Sequence, residues 1–247
     1  MNHRRTHMLF TFILTILLWG GGAAAQSPGA VKLAEFKGPV TPVLASYIER
    51  SIVDAEAQAA ALLIIELDTP GGSVDITKNI TQVMTAARVP VVVWVAPSGA
   101  HAGSAGTFIT LAAHLAAMAP GSSIGAASPI GSEGQDLNET LKAKATNILV
   151  ADIKNLAARR GEKAVAWAEK AVSEAAAATA DEALDLGVVD IIATDLDDLL
   201  RQLDGRTVTV AGKDVTLQVS DAPVEEIPLN PWEGLLNQIT NPALAAI

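Results

Sequence analysis

The sequence predicts an α/β domain with a mainly parallel sheet and flanking helices, on three observations. Two apolar runs of strand length, 61–67 and Val91–Val95, show no polar alternation, as strands covered on both faces require. Segments with a 3.6-residue apolar period stand between such runs, joined by short connections. Both runs lead into glycine-bearing turns, Asp68-Thr69-Pro70-Gly71-Gly72-Ser73 and Ser98-Gly99-Ala100-His101-Ala102-Gly103-Ser104-Ala105-Gly106. Strand–helix–strand repetition of this kind gives right-handed crossovers and parallel pairing. Ligands of such sheets lie beyond the carboxyl ends of the strands, where both glycine turns fall and can face one another.

The elements follow in order. Residues 1–25 read as a secretory signal peptide: Arg4 and Arg5, an apolar stretch over 8–19, then Ala23-Ala24-Ala25. That stretch is shorter than the ~20 residues of a spanning helix. A single domain is expected over 26–222. Residues 31–36 alternate and predict a strand, broken by Gly38-Pro39. Leu44, Tyr47, Ile48, Ile52 and Ala55 predict a helix over 42–60. After the 61–67 strand, Ile76, Ile80, Val83, Met84 and Ala87 predict a second amphipathic helix. The Val91–Val95 strand lies between Pro90 and Pro97, followed by a helix over 105–113 and a short strand over 114–119.

Residues 122–138, rich in Gly, Ser, Pro and Asn and without a period, predict a loop of the length that is usually functional. Helices are expected over 139–160, 163–178 and 180–186, the last closed by Gly187. A strand over 188–192 and a helix over 195–203 come next. A hairpin then pairs 207–210 with 215–217 across Ala211-Gly212. Residues 223–247 read as an amphipathic tail, in which Trp232 suits a membrane interface. Its last stretch, 241–247, reads either as a frayed terminus or as the start of a membrane span.

Composition narrows the functional classes. The chain carries 17 Lys+Arg against 27 Asp+Glu, a formal net charge of −10. Removing 1–25 takes away two arginines and no acid, which leaves about −12. Basic residues are scattered, so nucleic acid is excluded as a partner. There is no cysteine, which excludes disulfides, thiol nucleophiles and thiolate metal sites. The domain's two histidines, His101 and His114, do not stand at zinc-ligand spacing, and no metal or cofactor is expected.

A glycine turn facing a serine-bearing turn suggests an oxyanion hole opposite Ser104. A serine before a helix serves more often as a cap, and Ser73, Ser98, Ser122 and Ser123 share that reading. A nucleophilic serine needs a base. His101 shares the tight turn and His114 opens an apolar strand; neither has a carboxylate at a telling spacing. A lysine can serve if burial favours its neutral form. Lys142, Lys144 and Lys154 are the candidates on the next helix, with Ile148 as a burying neighbour. Its apolar face is Leu141, Ala145, Ile148, Leu149, Ile153 and Leu156, and Lys142 lies nearer the middle of it than Lys144 does. Periodicity therefore leaves the base open.

Three strings in order, Asp68-Thr69-Pro70-Gly71-Gly72, Pro97-Ser98-Gly99-Ala100-His101-Ala102-Gly103-Ser104-Ala105-Gly106-Thr107 and Met118-Ala119-Pro120-Gly121-Ser122-Ser123-Ile124-Gly125-Ala126, resemble the NfeD family. These are membrane-bound serine proteases of the ClpP class, some of which cleave stomatin-type membrane proteins. The resemblance implies a Clp-protease/crotonase-like core and a Ser–Lys dyad of Ser104 and Lys144. It also implies oxyanion donors at the Gly72 and Ala105 N–H groups, with Gly71 shaping the turn. Clp proteases carry a histidine where this chain reads Ile124-Gly125-Ala126-Ala127-Ser128-Pro129, which fits a dyad rather than a triad. His101 and Gly103 depart from the family, which commonly has serine or alanine there. Family chains also commonly continue into membrane spans and a small β-barrel.

Taken together, the resemblance implies an exported, membrane-associated endopeptidase at the extracytoplasmic face. It would cut apolar segments of membrane proteins, stomatin-like ones among them, as a homo-oligomer. Two alternatives share the fold. One is a crotonase-type acyl-CoA enzyme, against which export and negative charge argue; the other is a non-catalytic scaffold.

Overall fold

The computed structural model describes residues 29–130 and 138–240; the expected leader over 1–25, residues 131–137 of the expected loop and residues 241–247 lie outside the described residues. The first half runs β1 (Val31–Lys37), α1 (Pro42–Ala57), β2 (Leu62–Asp68), α2 (Val74–Ala86), β3 (Val91–Val95), β4 (His101–Gly103), α3 (Ala105–Ala112) and β5 (Leu115–Met118). Next come β6 (Ser123–Gly125), α4 (Glu139–Ala157), a 3-10 turn (Ala158–Arg160), α5 (Glu162–Ser173), β7 (Ala177–Thr179) and α6 (Ala180–Asp185). The chain ends with β8 (Ile191–Ile192), α7 (Leu196–Leu203), β9 (Thr207–Val210), β10 (Lys213–Thr216), β11 (Val224–Glu226) and α8 (Pro231–Thr240).

Six strands form the main sheet in the order β11-β1-β2-β3-β5-β8, and every neighbouring pair is parallel. Lys37 pairs with Asp68, Leu67 with Val95 and Val95 with Met118, so the carboxyl ends of four strands line one edge. On one face, Leu44, Tyr47 and Ile48 of α1, Ile80 and Met84 of α2 and Ile109 of α3 pack on Leu63, Ile65 and Val93. On the other, Leu199, Leu200 and Leu203 of α7 and Val208 and Val210 of β9 cover Ile64, Val92 and Ile191. A third cluster joins Phe108 and Leu111 of α3 to Leu149 and Ile153 of α4 and Trp167 of α5.

The differences from the sequence reading have local causes. Helix α1 stops at Ala57, short of residue 60, because Ala59 turns left-handed at φ 50°. Beyond the main sheet, β4, β6 and β7 form a second, three-stranded one. Each is three residues long, too short to show a period, and β7 takes the end of the helix expected over 163–178. Only Ile191–Ile192 of the expected 188–192 strand pairs. Ahead of it the Asp190 carboxylate accepts from the Ala116 N–H at 2.7 Å and pairs with Arg160 at 2.6 Å. The hairpin forms across left-handed Ala211 and Gly212, but its second strand is Lys213–Thr216 rather than 215–217, because the two-residue turn sets Lys213 opposite Val210.

The segment after Pro223 returns to the domain. Val224 pairs with Val31, placing β11 at the sheet edge. Buried Lys32 of β1 donates to Glu225 at 2.6 Å and to Gln58 at 2.7 Å. Ile227 enters the core, and the Tyr47 hydroxyl donates to its carbonyl.

His114, immediately before β5, is a half-buried structural residue. Its Nδ1 accepts from the Val91 N–H at 3.1 Å. Desolvation first, then the nearby Arg159, pushes its pKa down to about 4. A free histidine titrates near 6.5, so between those values the unfolded chain binds a proton that the folded chain refuses. Stability is therefore complete above pH 6.5 and falls towards pH 4. After allowance for partial solvent screening, the loss should be on the order of 2 kcal/mol. Urea unfolding at pH 7 and pH 4.5 measures it, and His114→Gln should flatten the dependence across that window.

Candidate active site

The two glycine turns meet at the carboxyl edge of the sheet. The Thr69 N–H donates to the His101 carbonyl at 2.8 Å and the Gly103 N–H to the Thr69 carbonyl at 2.9 Å, so the first turn is laddered to β4. Gly71 takes φ +109°, and a Cβ there would lie 2.6 Å from the Ser104 Cβ. A Cβ on Gly72 would lie 2.3 Å from the Val40 carbonyl oxygen. Only glycine lets the turns close to this distance.

Ser104 occupies the N-cap position of α3 but makes no side-chain cap hydrogen bond, which sets aside the capping role. Its backbone sits at φ 49°, ψ −109°, a strained conformation that the surroundings must hold in place. The Ser104 N–H donates to the Gly125 carbonyl at 2.8 Å. The buried Thr107 hydroxyl lies 3.0 Å from the Ala102 carbonyl and 3.2 Å from that of Gly125. The Ser104 hydroxyl is thus left to a cleft of about 250 Å³ that Gly72 and Ala105 also line.

Oxyanion donors require N–H groups not spent on the fold. Val40 pairs with Gly72 as a parallel bridge, donating to the Gly71 carbonyl at 2.8 Å and accepting from the Ser73 N–H at 3.2 Å. In that pattern the Gly72 N–H points away from Val40. Ala105 is the first residue of α3, where N–H groups have no partner within the helix and the helix dipole favours negative charge.

The cleft runs from Ser104 between α2 and α4, with Phe108 of α3 in its wall. Val74, Phe108, Leu149, Leu156 and Ile130 make it apolar. The sequence reading missed a second wall. Thr77, Thr81 and Thr85 of α2 also line it, and their hydroxyls bond the helix's own carbonyls at 2.7, 3.0 and 2.8 Å. The signal was present as a threonine at every fourth position.

The candidate bases do not all converge. Lys144 and Lys142 are exposed on α4 and lie outside the cleft lining. Ile148, expected to bury the base, is 61 % exposed. Lys144 precedes the cleft residue Asn155 by eleven residues, three helical turns, which puts both on one stripe of α4. Among the described residues of the cleft lining, the lysine is Lys78 of α2. The second histidine reading needs correction: His101 does have a carboxylate beside it, with Nδ1 3.5 Å from Asp68 Oδ1. That contact ties β4 to the end of β2, and the exposed ring is absent from the lining. In sum, Ser104, Gly71, Gly72 and Ala105 come together, and Lys144 stands apart. Gly71→Ala should drive Ser104 out of position: labelling of Ser104 by a fluorophosphonate should fall at least tenfold, with circular dichroism unchanged.

In sequence and fold the chain is similar to known proteins. The family model of the NfeD1b N-terminal domain matches residues 31–212. The membrane-bound protease PH1510 of Pyrococcus horikoshii is 39 % identical over 242 residues, covering 96 % of this chain and 54 % of that protein. The membrane protein NfeD1b of Bacillus subtilis is 27 % identical over 211 residues, 81 % of this chain and 46 % of that protein. The chain thus spans about half the length of these curated relatives. A solved structure of the 1510-N membrane-bound stomatin-specific protease, a lysine-to-alanine mutant with a substrate peptide, superposes with TM-score 0.79. It is 36 % identical and covers 86 % of this chain and 98 % of its own; a serine-to-alanine mutant gives TM-score 0.76. ClpP1 of Listeria monocytogenes, 19 % identical over 68 % of this chain and 94 % of its own at TM-score 0.51, shares the fold alone. On the matched domain and the shared ClpP-like fold, the chain belongs to the NfeD1b N-terminal-domain family.

Proposed function

We propose that the chain is the peptidase part of a membrane-bound serine endopeptidase, exported and acting as a homo-oligomer on apolar segments of membrane proteins. One observation carries this reading: Ser104 is held in a strained conformation with its hydroxyl uncapped, beside the Gly72 and Ala105 N–H groups in an apolar cleft. In this mechanism Ser104 Oγ attacks the scissile carbonyl and its proton passes to a neutral lysine. The two N–H groups receive the oxyanion. Collapse expels the amine, which takes the proton from the lysine, and water then frees the acyl group by the same route. No metal or cofactor takes part in these steps.

Lys144 is the proposed base. Its support is its position in the family pattern, its stripe on α4, and the lysine-to-alanine and serine-to-alanine mutants among the solved relatives. Lys78 is the second reading, because it lines the cleft. The apolar lining supports an apolar substrate, and the relative described as stomatin-specific supports a stomatin-like one.

The test is a pH–rate profile on an apolar peptide for five variants. Ser104→Ala and Lys144→Ala should each lower the rate at least a thousandfold, and Lys144→Arg should not restore it because arginine stays protonated. Lys78→Ala and His101→Ala should keep most of the activity. Only the amine form of the base accepts a proton, so the wild-type rate should rise with pH along one limb. Wild-type turnover by Ser104→Ala would remove the serine from the mechanism. An active Lys144→Ala beside a dead Lys78→Ala would move the base to α2.

A further inference from the structure

Helix α8 is mounted inside out. An amphipathic surface helix ordinarily buries its apolar stripe against the core and turns its polar face to water. Here the polar face holds the helix to the domain. Glu233, 6 % exposed, receives Arg50 of α1 through two bonds of 2.6 and 3.1 Å. Asn230 and Glu233 close the helix start reciprocally at 2.8 Å each, and Arg50 also donates to the Pro228 carbonyl at 2.9 Å. One turn further on, Asn237 Nδ2 lies 3.4 Å from the Lys37 carbonyl. The opposite stripe faces outward: Trp232, Leu235 and Ile239, at i, i+3 and i+7, are 66, 47 and 65 % exposed.

We infer that this stripe lies in the interfacial layer of a lipid bilayer and seats the cleft edge of the domain on the membrane; the inference rests on the reading of the chain as membrane-bound. Three features favour lipid. A tryptophan at one end of an apolar stripe matches the water–lipid boundary. Residues 241–247, which follow directly, include no charged side chain. Covering three side chains buries roughly 500 Å², well below the ~800 Å² per partner of a stable protein interface. Helix α8 carries no Lys or Arg, and the chain's net charge is −10, so contact is apolar and owes nothing to anionic headgroups.

The position of the seat gives it a consequence for catalysis. Asn237 reaches Lys37 at the carboxyl end of β1, and Val40, three residues beyond, bonds to both sides of Gly72. Helix and oxyanion turn therefore share one edge of the domain. Substrate segments emerging at the bilayer surface meet the cleft without leaving that surface.

The test uses the full chain with phosphatidylcholine vesicles carrying brominated acyl chains. The Trp232 signal is the difference between wild type and Trp232→Phe, which cancels the other three tryptophans. Wild type should float with the vesicles, and its Trp232 component should shift to the blue, be quenched by bromine and lose access to aqueous iodide. Leu235→Asp/Ile239→Asp should weaken that quenching at least tenfold while Ser104 labelling and circular dichroism stay unchanged. Adding phosphatidylglycerol should not strengthen binding. Flotation with Trp232 still open to iodide would overturn the inference and leave membrane attachment standing through another segment. No flotation, with Ser104 labelling intact, would overturn the inference and leave the peptidase reading standing. A lipid-free dimer that the double substitution dissolves would assign the stripe to a second copy and overturn the bilayer.

Discussion

The site depends on one close approach, that of Gly71 to Ser104. The main chain of one turn occupies the space where a side chain would stand, 2.6 Å from the Ser104 Cβ. Ser104 cannot relax to an ordinary N-cap geometry, because its N–H is held by Gly125 and the neighbouring Gly103 N–H by Thr69. Strain of this kind costs on the order of 1–3 kcal/mol and persists only where the surroundings fix it. The fixing groups come from three places in the sequence, the end of β2, strand β4 and strand β6, which explains why the small second sheet exists. Its strand β6 carries the Gly125 carbonyl that holds the Ser104 N–H, and its strand β4 offers the His101 carbonyl to the Thr69 N–H of the facing turn.

Helix α3 transmits this positioning to the rest of the domain. Its N-terminus presents Ser104 and its C-terminus is anchored by two arginines: Arg159 reaches the Leu111 carbonyl at 2.8 Å and also bonds that of Ala113, and Arg160 reaches Ala113 at 3.2 Å. Arg160 then pairs with Asp190, whose carboxylate also receives the Ala116 N–H of β5. A buried ion pair of this type adds little net stability, since desolvation offsets the attraction. Its effect is geometric. It locks the far end of α3 to β5 and to the approach of β8, so the serine end cannot slide along the sheet.

The main sheet was legible because its strands are long enough to show a pattern. Val91–Val95 is an unbroken apolar run that falls where the reading put it, and the helix over Val74–Ala86 follows the spacing of Ile76, Ile80, Val83 and Met84. The glycine turns and the serine were legible for a different reason, since glycine and proline act on the backbone directly. Elements fixed by distant partners were not legible. Val224–Glu226 has no buried residue of its own and becomes a strand only because β1 offers a free edge and Lys32 reaches out to Glu225. The base stayed open for the same reason, because a helix period orders residues around an axis and does not say which turn of the helix stands opposite a serine forty residues away.

Asp68 shows how the Ser104 edge and the outward-facing helix belong to one architecture. The residue ends β2; its carboxylate faces the Lys37 ammonium at 3.0 Å and accepts from the His101 N–H at 3.2 Å, while its carbonyl receives the Gly38 N–H at 3.0 Å. One residue therefore joins the end of β1, where α8 is attached, to the turn that leads into Ser104. A parallel sheet concentrates strand ends on one edge and leaves their backbone groups unpaired there. Those groups have to be satisfied by turns, side chains or helices brought from elsewhere. In this chain the turns that satisfy them wall the cleft at Ser104, and the helix that satisfies them carries its apolar stripe outward. The Ser104 cleft and the apolar stripe are neighbours because both are answers to the same row of strand ends.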